Sequence, residues 1–195
     1  MFHQPNSYAP QQYQSPQAAP PLHFFFYDDI GDTKDYTDLV YTLDHAQEGE
    51  VIHLHLATGG GNMEAALVIV HAIMRTQATV VGHAEAGVAS AGTIILLVCH
   101  DIVIHPFAHF LFHDGSLTSP GMKFSENLKQ AQAITELYAK LTYSIYCPFF
   151  SEEEVTEILR GIDCYETAEG MQARVDRVFA ALEAEAAAGD VDPEA

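Results

Sequence analysis

Tryptophan is absent from the chain and basic residues are scarce: eight Lys and Arg stand against 27 Asp and Glu. The net charge of −19 excludes the counterion-releasing contacts on which nucleic-acid backbone binding depends. No apolar run approaches the ~20 residues of a membrane-spanning helix. The first residues have neither the basic start nor the apolar core of a signal peptide. Only three cysteines occur, Cys99, Cys147 and Cys164, with no C-x-x-C pair, which suits a reducing compartment. The expectation is a cytoplasmic protein with neither nucleic-acid nor membrane partners.

What is present divides the chain in three. Residues 1–22 (MFHQPNSYAPQQYQSPQAAPPL) are rich in Pro, Gln, Ser and Tyr, and too little of this is apolar to offset chain entropy. A disordered arm is expected there. Residues 184–195 read as an acidic flexible tail, with helix fraying toward Gly189. One folded domain should occupy residues 23–183, a length that supports a real core.

Within it, apolar periodicity alternates between strand and helix. HFFFYD, EVIHLHLAT and ATVVGHAEA predict strands, and DIVIHP and AHFLFH are strand-like. DTKDYTDLVYTLDHAQ and NMEAALVIVHAIMRT predict helices opened by Asp32 and Asn62 caps, and SAGTIILLVCH a short apolar helix. A long helix from about Lys123 to Tyr146, then SEEEVTEILRG and TAEGMQARVDRVFAAL, complete the reading. The β-α-β-α-β order implies an α/β fold with a mainly parallel sheet, whose chemistry collects where strands end and helices begin.

Two such seams stand out. TGGGN (58–62) follows a buried strand; its glycines make either a plain tight turn or a backbone cradle for a negative oxygen. It is not a phosphate loop, because neither G-K-[ST] nor G-x-G-x-x-G is present. At AGVASAG (86–92), Ser90 is either a helix cap or a nucleophile, and locally the cap is favoured. A nucleophilic serine needs a base and a group to orient it. His113 ends a strand beside a Gly/Ser/Pro-rich loop, and Asp163 follows a helix stop at Gly161; neither is singled out by its own signal. His53 and His55 alternate on one strand face, but no H-E-x-x-H helix accompanies them, so no metal site is expected.

Taken in order, TGGGNMEAALVIVHAI, GVASAGTIILL, FLFHDG and GIDCYETAEGM resemble the Clp protease proteolytic subunit (ClpP) family, within the ClpP/crotonase-like superfamily. The resemblance spans Phe24 to Phe179. It implies a spiral of β-α-β units and a handle helix at about Lys123 to Tyr146 that interdigitates between stacked heptameric rings. It further implies a serine endopeptidase with Ser90 as nucleophile, His113 as general base and acid, and Asp163 as its orienter. Gly61 and Ala91 would supply oxyanion-hole N–H groups. No cofactor is implied; the partners are protein or peptide substrates, further copies of the chain and an AAA+ unfoldase. Gly59 replaces the family's proline, Ala91 its methionine, and Asp114-Gly115 its Gln-Pro after the histidine. A carboxylate at 114 can compete for the orientation of His113. The Pro/Gln-rich arm stands in place of the axial-loop segment that docks the unfoldase. So compact and divergent a member suits a virus, where such proteins serve as capsid-maturation proteases in the host cytoplasm. The alternatives are a catalytically silent scaffold of the same fold and a crotonase-type acyl-CoA enzyme, the latter lacking a basic patch for CoA phosphates.

Overall fold

The computed structural model describes residues 20–115 and 124–189. The arm assigned to residues 1–22 lies outside the described residues up to residue 19, as does the tail beyond residue 189.

Alternation decides the strands. In β2 (Val51–Thr58) Ile52, Leu54 and Leu56 are buried, while Val51, His53 and His55 lie on the other face. β1 (Leu22–Phe26) pairs parallel to it. A 3-10 turn, Thr33–Tyr36, leads into helix α1 (Thr37–His45), so the single helix expected from Asp32 is divided. Helix α2 (Met63–Arg75) starts as expected: Asn62 Oδ1 accepts from the N–H groups of Glu64 and Ala65 at 2.9 and 3.2 Å. Its buried face is Ala65, Ala66, Ile69, Val70, Ala72 and Ile73.

Strand β3 (Thr79–Ala89) runs past the expected end at Ala86 and stops only where helix α3 (Ala91–Leu97) begins. β4 (Asp101–Ile104) and β5 (His109–Phe112) then lie in succession along the same edge of β3. β4 takes Val81–Ala84 and β5 takes Gly87–Ala89, both parallel. After the long helix α4 (Phe124–Tyr146) and the short α5 (Glu152–Leu159) comes a strand that periodicity did not predict, β6 (Cys164–Thr167). It is antiparallel to β5 and gives the sheet the order β1-β2-β3-β5-β6, with β4 on β3. Helix α6 (Ala168–Gly189) runs to Gly189, into the stretch assigned to the tail. The architecture is therefore mixed α/β with a mainly parallel sheet.

Helices pack on the sheet face that carries Leu54, Leu56, Val88, Phe110 and Phe112. At the α4–α5–α6 corner, Arg174 forms salt bridges of 2.7 Å to Glu154 and to Glu166 while its guanidinium lies 4.2 Å from the Phe150 ring centroid. The Arg174 bond holds the Glu154 carboxyl down at about 2.

The opposite sheet face carries imidazoles. His23 on β1 lies 2.9 Å from His55 on β2, and His53 lies 2.8 Å from His83 on β3, nitrogen to nitrogen. His55 also meets Glu85 at 2.6 Å, and Tyr27 donates to the same carboxylate. The rings of His55 and His83 stack at 4.6 Å. In each His–His pair one ring nitrogen must accept, so each pair requires a neutral ring. Among the described residues, no group of three or more His, Cys, Asp or Glu is arranged to hold a metal ion.

Burial, and then the neighbouring imidazoles, lower the pKa of both His53 and His83. The unfolded chain, titrating at about 6.5, binds these protons first as pH falls. Stability carried by the neutral rings should therefore be complete above that value and lost progressively as pH drops below it. The urea midpoint should be lower at pH 5.5 than at pH 7.5. The difference should shrink in a His53→Gln/His83→Gln double variant followed by the same denaturation series.

Candidate active site

The two seams singled out in the sequence meet in space. β3 delivers the chain directly to Ser90, which has φ 53° and ψ −126° before α3 begins. A non-glycine residue in the left-handed half of backbone space costs about 1–3 kcal/mol and persists only where its surroundings over-determine it. Here the Ser90 N–H donates to the Leu111 carbonyl of β5 at 3.0 Å, and the Ser90 carbonyl accepts from the Thr93 N–H at 2.9 Å. Ser90 lies at the N-cap position, as the local reading allowed, yet its side chain makes no capping hydrogen bond. The side chain sits instead at a sharp strand-to-helix turn, the kind that exposes a nucleophile.

The glycine turn leans on that junction. Gly60 has φ 100°, and a Cβ there would stand 2.6 Å from Ser90 Cβ and 3.1 Å from the Ala91 nitrogen. Its N–H donates to the buried Thr58 Oγ1 at 3.1 Å, and its carbonyl accepts from the Ile30 N–H at 2.6 Å. Ile30 in turn accepts from the Asn62 N–H at 2.8 Å. This bridge between Ile30 and Gly61 consumes the Gly60 carbonyl and the Asn62 N–H, and leaves the Gly61 N–H outside it. Ala91 occupies the first position of α3, where an N–H has no partner within the helix. The N–H groups of Gly61 and Ala91 thus belong to backbone segments in van der Waals contact. The importance of Gly60, the middle glycine, was not evident in the sequence; its only signal was membership of a three-glycine run.

His113 directly follows β5 and is half-buried. It shares with Ser90 a cavity of about 30 Å3, also lined by Met63, Ile94, Asp114 and Tyr138. That volume admits a water molecule or two but no substrate side chain. Asp114 is exposed, and its Oδ1 accepts the Gly115 N–H at 2.9 Å, so that oxygen is engaged with its own turn.

Asp163 reaches the site through β6. The antiparallel register pairs Phe112 with Cys164, so one step further along both chains sets Asp163 opposite His113. Its carboxylate is turned elsewhere: Asp163 is exposed and its Oδ2 lies 3.5 Å from the Tyr165 hydroxyl. The structure therefore brings Ser90 and His113 to one cavity and the Asp163 backbone beside them. Among the described residues, no hydrogen bond joins Ser90 to His113 or His113 to Asp163.

The family model described as Clp protease matches residues 23–179 of the chain. No curated protein matches it.

The contact between the two turns gives a direct test. Gly60→Ala would add both positive-φ strain and a methyl group inside Ser90, and should cost about 3 kcal/mol or more. Gly49 has φ 87° with open space around it, so Gly49→Ala should cost only about 1 kcal/mol. Chemical denaturation of the two variants measures the difference, which is the contribution of the contact.

Proposed function

The chain belongs to the Clp protease family, a family of peptidases, and we propose that it is a serine endopeptidase using Ser90, His113 and Asp163. The observation that carries this reading is the left-handed backbone of Ser90 at a strand–helix junction, on a cavity it shares with His113.

In the proposed reaction Ser90 Oγ attacks the scissile carbonyl carbon while His113 accepts the hydroxyl proton. The N–H groups of Gly61 and Ala91 stabilise the oxyanion. The C–N bond breaks as His113 returns the proton to the departing amine. Water, giving a proton to His113, then attacks the acyl-enzyme; the ester bond breaks and the proton returns to Ser90. Asp163 orients His113 once its carboxylate rotates away from Tyr165. No cofactor enters any of these steps.

The family suggests oligomeric assembly and protein substrates. We place the active sites inside a chamber built from homo-oligomeric rings in the cytoplasm, heptameric and stacked, with an AAA+ unfoldase as the candidate feeder. The small volume between Ser90 and His113 is consistent with a site that opens on assembly.

A second reading, a catalytically silent scaffold, is favoured by the orientation of Asp163. Activity assays separate the two. Wild-type protein should hydrolyse an unstructured protein substrate and form a fluorophosphonate adduct at Ser90. Ser90→Ala should lose at least about 10³-fold in kcat and all labelling. Equal activity in wild type and Ser90→Ala, or no adduct on the assembled wild type, would overturn the enzymatic assignment to Ser90.

A further inference from the structure

Thr93 is fully buried and lies one turn into α3, directly behind Ser90. Its Oγ1 donates to the Ser90 carbonyl at 2.7 Å, adding a second donor to the one supplied by the Thr93 N–H. The same Oγ1 lies 2.7 Å from the hydroxyl of Tyr146. A threonine hydroxyl has one proton and has already given it to Ser90, so Tyr146 must be the donor in this second bond. The result is a chain of fixed direction: Tyr146 O–H to Thr93 Oγ1, and Thr93 O–H to the Ser90 carbonyl.

Tyr146 is the last residue of α4 and is 2 % exposed. Burial pushes its phenol up to about 12, so the donor stays protonated across the working range. Its ring stands edge-on to Phe112, with centroids 5.2 Å apart and planes at 89°. Phe112 immediately precedes His113. One side chain at the end of α4 therefore reaches the supports of both Ser90 and His113, and also lines the cavity between them.

The backbone N–H of Thr93 already satisfies the Ser90 carbonyl, so the hydroxyl bond is not needed to pair a buried acceptor. Two donors on one carbonyl fix the plane of the Ser90–Ala91 peptide, and with it the direction of the Ala91 N–H. We propose that Thr93 and Tyr146 are positioning residues: their hydrogen-bond chain holds the Ser90 peptide in its left-handed conformation, and the Tyr146 ring sets Phe112 and His113 against it. The proposal rests on the reading of Ser90 as nucleophile.

The test measures kcat, KM, the rate of fluorophosphonate labelling and Tm in wild type, Thr93→Val, Thr93→Ser and Tyr146→Phe. Thr93→Val keeps the shape and removes the hydroxyl. It should lower kcat and labelling by roughly ten- to a hundredfold with KM little changed, the pattern of a misdirected reacting group. Thr93→Ser should restore most of the rate. Tyr146→Phe, which keeps the ring on Phe112, should lose less than Thr93→Val and more than Thr93→Ser. If Thr93→Val does not fold, Tyr146→Phe decides by the same readouts. Variants with lower Tm but wild-type kcat and labelling would overturn the positioning role and leave the nucleophile reading intact. A folded wild type that is not labelled at Ser90 would overturn the nucleophile reading and this proposal with it.

Discussion

The rest of the site depends on one contact, the approach of the Gly60 backbone to Ser90 and Ala91. Two parallel strands end side by side, and each must turn into a helix on the same face of the sheet. At the end of β2 the turn is made by glycines and tied back to Ile30 and Thr58. At the end of β3 it is made in a single residue, with the strain concentrated on Ser90. The two turns fit together only because Gly60 has no side chain. A β-bulge prepares the fit: β2 pairs Leu56 with Ala84 but Thr58 with Val88, so β3 carries extra residues just before the junction.

The other parts are arranged around that contact. β5 accepts the Ser90 N–H at Leu111 and carries His113 beyond its end. β6 places Asp163 across from His113, and β6 is itself anchored through Glu166 to Arg174. Arg174 gathers α5, β6 and α6 into one corner, so a residue far from the serine governs the position of the strand that presents the carboxylate. Membership of the Clp protease family gives this arrangement its meaning as a peptidase scaffold. Of the departures from the family pattern, Asp114-Gly115 falls on the turn after His113, Ala91 is buried at the start of α3, and Gly59 stands in the glycine turn itself.

The sequence displayed the framework more clearly than the site. β2 and α2 were legible because alternation and helical periodicity were strong and Asn62 marked the start of α2. β6 was not, because Cys-Tyr-Glu-Thr is short and half-exposed, and its strand character comes from pairing with β5. β3 ran past its expected end because Gly87 and Ala89 add little to any apolar pattern. Proximity of Ser90 to His113 is a property of the fold, and only the order of four motifs hinted at it. The side-chain direction of Asp163 and the bond between Thr93 and Tyr146 left no mark on spacing or composition. The Thr93–Tyr146 bond joins residues 53 apart in the chain, and no local rule relates them.

The route of the chain from β4 to β5 has a consequence for the length of this segment. Val81 pairs with Asp101 and Gly87 with His109, so the pairing offset grows from 20 to 22 along the edge of β3. The slack is taken up around His105–Ala108, where Phe107 adopts φ 75°. An offset that grows by an even number preserves parity: odd-numbered side chains of β5 still point to the same side as those of β4. A one-residue slip of β5 against β3 would reverse that parity, driving Phe110 and Phe112 out of the core and His109 and Leu111 into it. The exposed turn at Phe107 separates the length of the connection from that register, so the segment before β5 can vary while His113 keeps its side of the sheet.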